Sequence, residues 1–258
     1  MENFNERLLI KLIFILFTNT SPVLAQEIEW QRTIGGSSGD ILLSIKQTND
    51  GGYILGGFSE SNISGDKSEI SWFGDYWMVK TDSLGNIQWQ NTIGGNSLDF
   101  LTSISQTSDG GYILGGYSES NISRDKTEIN IGGSDYWIVK TDSLGIIQWQ
   151  NTIGGTSDDF LKSIQQTTDG GYILGGYSES NFSGDKTENS IGYQDYWVVK
   201  TDSIGNIQWQ NTIGGDNYDE LYTIQQTTDG GYILGGWSQS SFSGIKQKTA
   251  KDGRITGL

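Results

Sequence analysis

Past Ala25 the apolar residues come in short runs parted by Gly, Asn, Asp and Ser, and no stretch has the i, i+3, i+4 spacing of an amphipathic helix. The run Leu161–Thr167 leads through Thr168, Asp169 and Gly170 into a second run, Gly171–Ser178. Asp-Gly between two such runs predicts a tight hairpin, because Gly takes a positive φ at no steric cost. A polar loop, Glu179–Gln194, separates these from Tyr196–Thr201, and Asp202–Asn206 then turns the chain into Ile207–Ile213. Four strands joined this way make one small antiparallel sheet. In the last strand Ile207, Trp209 and Ile213 lie opposite Gln208, Gln210 and Thr212, so that strand is half exposed. Tyr196–Val199 is apolar on both faces and is expected between two sheets. Gly175 and Gly176 leave room for a close backbone approach.

The same sheet is written again and again. Trp30, Trp89, Trp149 and Trp209 each open a W-Q-x-T-I-G-G segment, at steps of 59, 60 and 60 residues. The run D-G-G-Y-I-L-G-G starts at Asp50, Asp109, Asp169 and Asp229, and D-Y-W-x-V-K-T-D starts at Asp75, Asp135 and Asp195. A period of this size means stacked units that cannot bury their own faces alone. Small sheets covered on both sides by copies of themselves describe an all-β fold, a β-propeller of four-stranded antiparallel blades. A β-solenoid is the alternative, although its coils are usually shorter. Strands are predicted near 42–48, 52–59, 76–81 and 87–93, repeating at the stated step, with the first innermost. In that phase Glu27–Ile34 is an orphan outer strand able to complete the last blade. Residues 26–244 then hold three full units and part of a fourth, so the propeller is incomplete at its C-terminal end.

The quoted blocks carry a resemblance. Gly154–Asp159, D-G-G-Y-I-L-G-G-Y-S from Asp169, D-Y-W-V-V-K-T-D from Asp195 and G-N-I-Q-W from Gly205 follow one another in fixed order. This resembles the bacterial secreted β-propeller repeats of the delta-60 and SBBP type, over nearly all of the chain past the leader. The resemblance implies a propeller in exported or surface proteins, often sent out by the type IX system with a C-terminal sorting domain that is not visible here. It brings no shared catalytic residues.

Composition narrows the chemistry. The chain has 258 residues, a net charge of −15, no Cys and no His, and Pro22 is its single proline. Disulfides, a thiol nucleophile and a Ser–His–Asp relay are therefore excluded, and zinc would lack its commonest ligands. Strong acidity argues against nucleic acid as a partner. Residues 1–25 read as a secretory signal peptide: Arg7, an apolar run from Leu8 to Phe17, then Ser21–Ala25 with Val23 and Ala25 at the cleavage positions. The run is too short for a membrane span, so no stable span is expected after cleavage. A secreted or cell-surface location follows.

Residues 245–258 break the repeat. Back-translated with permitted codons and read with one base restored before Ile245, they become D-K-T-E-N-S-K-G-R-T-D-Y-W-L, with the motif residues one period after Asp185, Asp195 and Trp197. The expectation is an out-of-frame tail and a truncated parent protein. Blades left with unpaired strands recruit other chains, so this form is expected to aggregate.

No catalytic, cofactor-binding or metal-binding residue is assigned. Asp40, Asp99, Asp159 and Asp219 recur in every unit and fit blade geometry better than acid–base chemistry, which needs two carboxyls facing one bond. The loop Ser178–Glu188 has oxygens suited to calcium but lacks the dense EF-hand spacing, and reads as solvated. Trp77, Trp137 and Trp197 read as filling between blades rather than sugar platforms. The leading expectation is a non-enzymatic scaffold, adhesion or binding module with an extracellular glycan or protein ligand and no cofactor. The alternative is a glycan-binding or glycan-processing protein.

Overall fold

The structure, a computed structural model, describes residues 28–241. The chain divides into two compact units, Met1–Gln31 and Arg32–Leu258. Of the first, only residues 28–31 are described, without regular secondary structure. The expected leader and the tail from Ile245 lie outside the described residues.

The second unit is all β, and among the described residues there is no helix. Its first sheet holds β1 (Asp40–Gln47), β2 (Tyr53–Ser59), β3 (Asp75–Thr81) and β4 (Ile87–Ile93). The second holds β5 (Asp99–Gln106), β6 (Tyr112–Ser118), β7 (Asp135–Thr141) and β8 (Ile147–Ile153). The third holds β9 (Asp159–Gln166), β10 (Tyr172–Ser178), β11 (Asp195–Thr201) and β12 (Ile207–Ile213). The last has β13 (Asp219–Gln226) and β14 (Tyr232–Ser238). Strands pair antiparallel in chain order, and the first strands β1, β5, β9 and β13 lie next to one another. This is the β-propeller the repeat predicts: three four-stranded blades followed by a two-stranded one.

Each Asp-Gly hairpin turns on a glycine in the left-handed region, with φ of 83° at Gly51, 84° at Gly110, 87° at Gly170 and 84° at Gly230. The turn is tied down from the third strand. Lys80 Nζ lies 2.9 Å from the Asp50 carboxylate and donates to the carbonyl of Thr81 at 2.7 Å and to Gln88 Oε1 at 3.0 Å. Lys140 with Asp109 and Lys200 with Asp169 repeat the pair. The Thr48 hydroxyl, then Lys80, hold the Asp50 carboxyl down at about 2.

The core sits between blades. The trailing side of the first blade presents Ile54, Tyr76, Met78 and Ile93, and the leading side of the second presents Leu101, Ile104, Tyr112, Leu114, Trp137 and Val139. The second and third blades meet through the corresponding residues, and β13–β14 close over the third. Each large apolar side chain buried in such a junction contributes roughly 1.5–3 kcal/mol. Glycine sets the spacing. A Cβ on Gly175 would lie 2.8 Å from Leu221 Cδ2 and 2.9 Å from Ile224 Cγ2, so the following blade fits only against a bare backbone. The third strands β3, β7 and β11 are buried at every position, as their two apolar faces predict.

Two expectations are corrected. Residues 28–39, which include most of the expected strand Glu27–Ile34, carry no strand. In the complete blades the equivalent segment pairs with a third strand, and no such neighbour exists for it among the described residues. The loop read as solvated is anchored: Lys67, Lys126 and Lys186 are almost wholly buried. Their Nζ atoms sit 5.2, 5.4 and 5.8 Å over the rings of Trp77, Trp137 and Trp197. They also donate to Thr92, Thr152 and Thr212. Burial pulls the Lys67 and Lys126 ammonium groups down, and nearby carboxylates resist it.

Candidate functional site

The repeated aspartates have a structural place. Asp99 Oδ2 accepts the Gly95 N–H at 2.6 Å and the Ser120 hydroxyl at 3.0 Å, while Asp125 takes the Gly94 N–H at 3.2 Å. Asp159 and Asp185 do the same for Gly155 and Gly154. In the first three units the Gly-Gly pair is thus held between two carboxylates, and in the fourth Gly215 meets Asp219, which explains why G-G, D and S-x-S recur together. Burial pushes Asp99, Asp135 and Asp159 each up to about 6. Such values suit a general acid, but all three side chains are fully buried and cannot meet a substrate. Trp137 and Trp197 are likewise wholly inside. Among the described residues no group of three or more acidic side chains is placed to hold a metal ion.

The surface where the blades differ lies elsewhere. The outer strands β4, β8 and β12 are identical, IQWQNTI. The innermost strands read DILLSIKQ, DFLTSISQ, DFLKSIQQ and DELYTIQQ. In each innermost strand the register slips by one residue, leaving Leu43, Thr102, Lys162 and Tyr222 out of the ladder. A bulge of this kind re-aims a side chain. The position that varies most is therefore the one the backbone frees.

These variable residues meet a row of rings. Two residues before each bulge stand Ile41, Phe100, Phe160 and Glu220, paired across the hairpin with Phe58, Tyr117, Tyr177 and Trp237. The rings form a continuous ladder. Phe58 stacks on Phe100 with centroids 4.8 Å apart, and Phe100 on Tyr117 at 5.2 Å. Tyr117 meets Phe160 edge-on at 4.9 Å, and Phe160 lies 5.1 Å from Tyr177. From Phe100 to Tyr177 the ladder is half-buried, leaving part of each ring open.

Lys162 lies across the end of the ladder, its Nζ 5.4 Å from the Tyr117 centroid, 5.6 Å from Phe160 and 5.2 Å from Tyr177. Burial among these rings pulls its ammonium down, while Glu220 pulls it back up. In the next blade the Tyr222 hydroxyl donates to Glu220 at 2.7 Å, and that bond raises the phenol. Burial, then Glu220, pushes the Tyr177 phenol up. Rings, a partly desolvated cation and a carboxylate–phenol pair thus converge where the innermost strands begin. Such a surface can stack on a flat apolar face and hydrogen-bond the groups around it. Sequence reading missed this cluster. Its signal was the divergence among copies at residues 41, 100, 160 and 220 and at 43, 102, 162 and 222.

No protein-family profile matches the chain, and no curated protein does. Among solved structures, a protein of unknown function from Bacteroides caccae is similar at a TM-score of 0.26 with 10% identity, over 66% of this chain and 66% of its own length. A likeness that slight carries no argument.

Proposed function

We propose that this chain is a non-enzymatic β-propeller of the cell exterior, a binding or adhesion scaffold whose ligand rests on the aromatic ladder and Lys162. One observation carries the reading: nearly interchangeable repeats keep their junctions and outer strands constant and change where the bulges present side chains. A scaffold preserves its packing and varies its display. Export rests on the signal-like residues 1–25 and on the resemblance to secreted repeat proteins of the delta-60 and SBBP type.

A second reading names the ligand as a glycan. Its support is the half-open row Phe100, Tyr117, Phe160 and Tyr177 beside Lys162 and Glu220, because sugar rings stack by their C–H faces while hydroxyls seek charged partners. The test is a glycan array and a panel of immobilised extracellular proteins, each probed with the chain and with Lys162→Met. Lys162→Met keeps the packing and removes the cation. Binding to one class, weakened at least about tenfold by Lys162→Met, supports the site. Binding untouched by that variant and by Tyr177→Ala refutes it, and turnover of any bound glycan refutes the non-enzymatic reading.

A further inference from the structure

The three internal junctions show what covers a leading face, and in the first blade the β1 part of that face lies open while Trp77 and Val79 behind it stay buried. Leu101, Leu161 and Leu221 are all 0% exposed, whereas Leu42, their counterpart in the first blade, is 55% exposed. Ile104 is 0% exposed and Ile45 is 51% exposed. Above this face lies a cleft of about 180 Å³, lined among others by Ile34, Leu42, Leu55, Gly57, Trp77 and Val79. The opposite end of the array mirrors it. Ile113 and Ile173 are 0% exposed in trailing faces, and Ile233 is 49% exposed. Gly56, Gly115 and Gly175 each touch the next blade's Leu and Ile, while a Cβ on Gly235 would meet only Thr223 of its own blade.

We propose that the trailing face of β14 in one copy docks on the leading face of β1 and β2 in a second copy, joining chains head to tail. The polar groups needed are already in place. At the internal junctions Ile104 N–H donates to Ser44 Oγ at 3.2 Å, Ile164 N–H to Ser103 Oγ at 3.3 Å and Ile224 N–H to Ser163 Oγ at 3.4 Å. Thr223 brings the matching hydroxyl at one end and Ile45 the matching N–H at the other. Asn49, Ser108 and Thr168 N–H groups donate to Gln106, Gln166 and Gln226 of the following blade at 2.8–2.9 Å. Thr228 and Gln47 hold those two roles at the open ends. Different patches meet in this contact, so it is heterologous and can propagate or close into a ring. The docked face has two strands where an internal junction has four, which makes the contact weaker than those inside the chain. A net charge of −15 on every copy opposes it, so added salt strengthens the association.

Sedimentation velocity over a range of concentrations and salt tests this with two variants at exposed positions, Leu42→Asp and Ile233→Asp. The chain itself is expected to gain mass with concentration, and more so in high salt. Each variant alone is expected to stay monomeric, and an equimolar mixture of the two to form a dimer through the one intact pair of faces. Circular dichroism melts check that both variants keep the fold. A wild-type chain that stays monomeric, folded single variants that still associate, or a mixture that stays monomeric would each overturn the proposal.

Discussion

Asp159→Asn is expected to change how stability depends on pH more than it changes stability itself. The Asp159 carboxyl is buried at the junction of the second and third blades, where it accepts the Gly155 N–H and the Ser180 hydroxyl. Burial pushes it up to about 6 from the ordinary 3.8, against the pull of Ser178, Gly155, Ser180 and Lys186. A carboxyl raised in the folded state stabilises fully below its unfolded value and loses that contribution as pH climbs through the folded value. The gap from 3.8 to about 6, at 1.36 kcal/mol per pH unit, is about 3 kcal/mol. Asparagine keeps an acceptor and has no charge to desolvate, so the variant lacks this slope. The assay is urea unfolding at about pH 4 and about pH 7.5, with equal m-values as the check that only stability moved. The wild type is expected to lose up to about 3 kcal/mol more than the variant between the two. Asp50 and Asp109, both held at about 2, change the balance mainly below about pH 5. Asp99, raised to about 6, titrates in the same window in both proteins and cancels in the comparison. Asp135 is also raised to about 6, by burial first and in part by the Asp159 charge, so the double variant should gain less than the sum of the singles. Parallel wild-type and variant profiles would refute the reasoning.

Two further outcomes follow from the junctions and one from a hairpin turn. Leu161→Ala removes a fully buried side chain and should cost about 2–5 kcal/mol, while the same change at Leu42, measured in dilute monomer, should stay within about 0.5 kcal/mol; equal costs in denaturant titrations would contradict the open leading face. Gly175→Val overfills the contact with Leu221 and Ile224 and should cost at least about 1–3 kcal/mol by the same titration. Lys140→Met strips the Asp109 turn of its buried cation, so wild-type stability should fall below about pH 4 more steeply than the variant's, because Asp109 then has less to lose on protonation.

The strands and turns were legible in the sequence because period-2 alternation and Asp-Gly pairs act locally: β1–β4 fall within two residues of the expected bounds. Gly175 could be read as a place of close approach without knowing that Leu221 and Ile224 would be what approached. The misses are all non-local. Lys186 sits in a run of polar residues, and nothing near it announces that Trp197 and Thr212 will enclose it. The orphan strand before Gly35 had the right pattern, but a strand needs a partner, and none is described for it. The bulge at Lys162 leaves no mark in a single copy. Only comparing the four first strands shows that one position varies freely from Leu to Thr to Lys to Tyr.

That bulge also bears on how such a chain can change over generations. Segments as alike as these invite unequal crossing-over, which inserts or deletes whole blades in frame. Because Leu161 and Ile164 hold the junction while Lys162 between them is set apart from the ladder, a transplanted blade brings its own display residue and still fits its new neighbours. Recombination then shuffles the order of Leu, Thr, Lys and Tyr along the inner rim like type in a compositor's stick, and each reordering is a new surface on an unaltered frame.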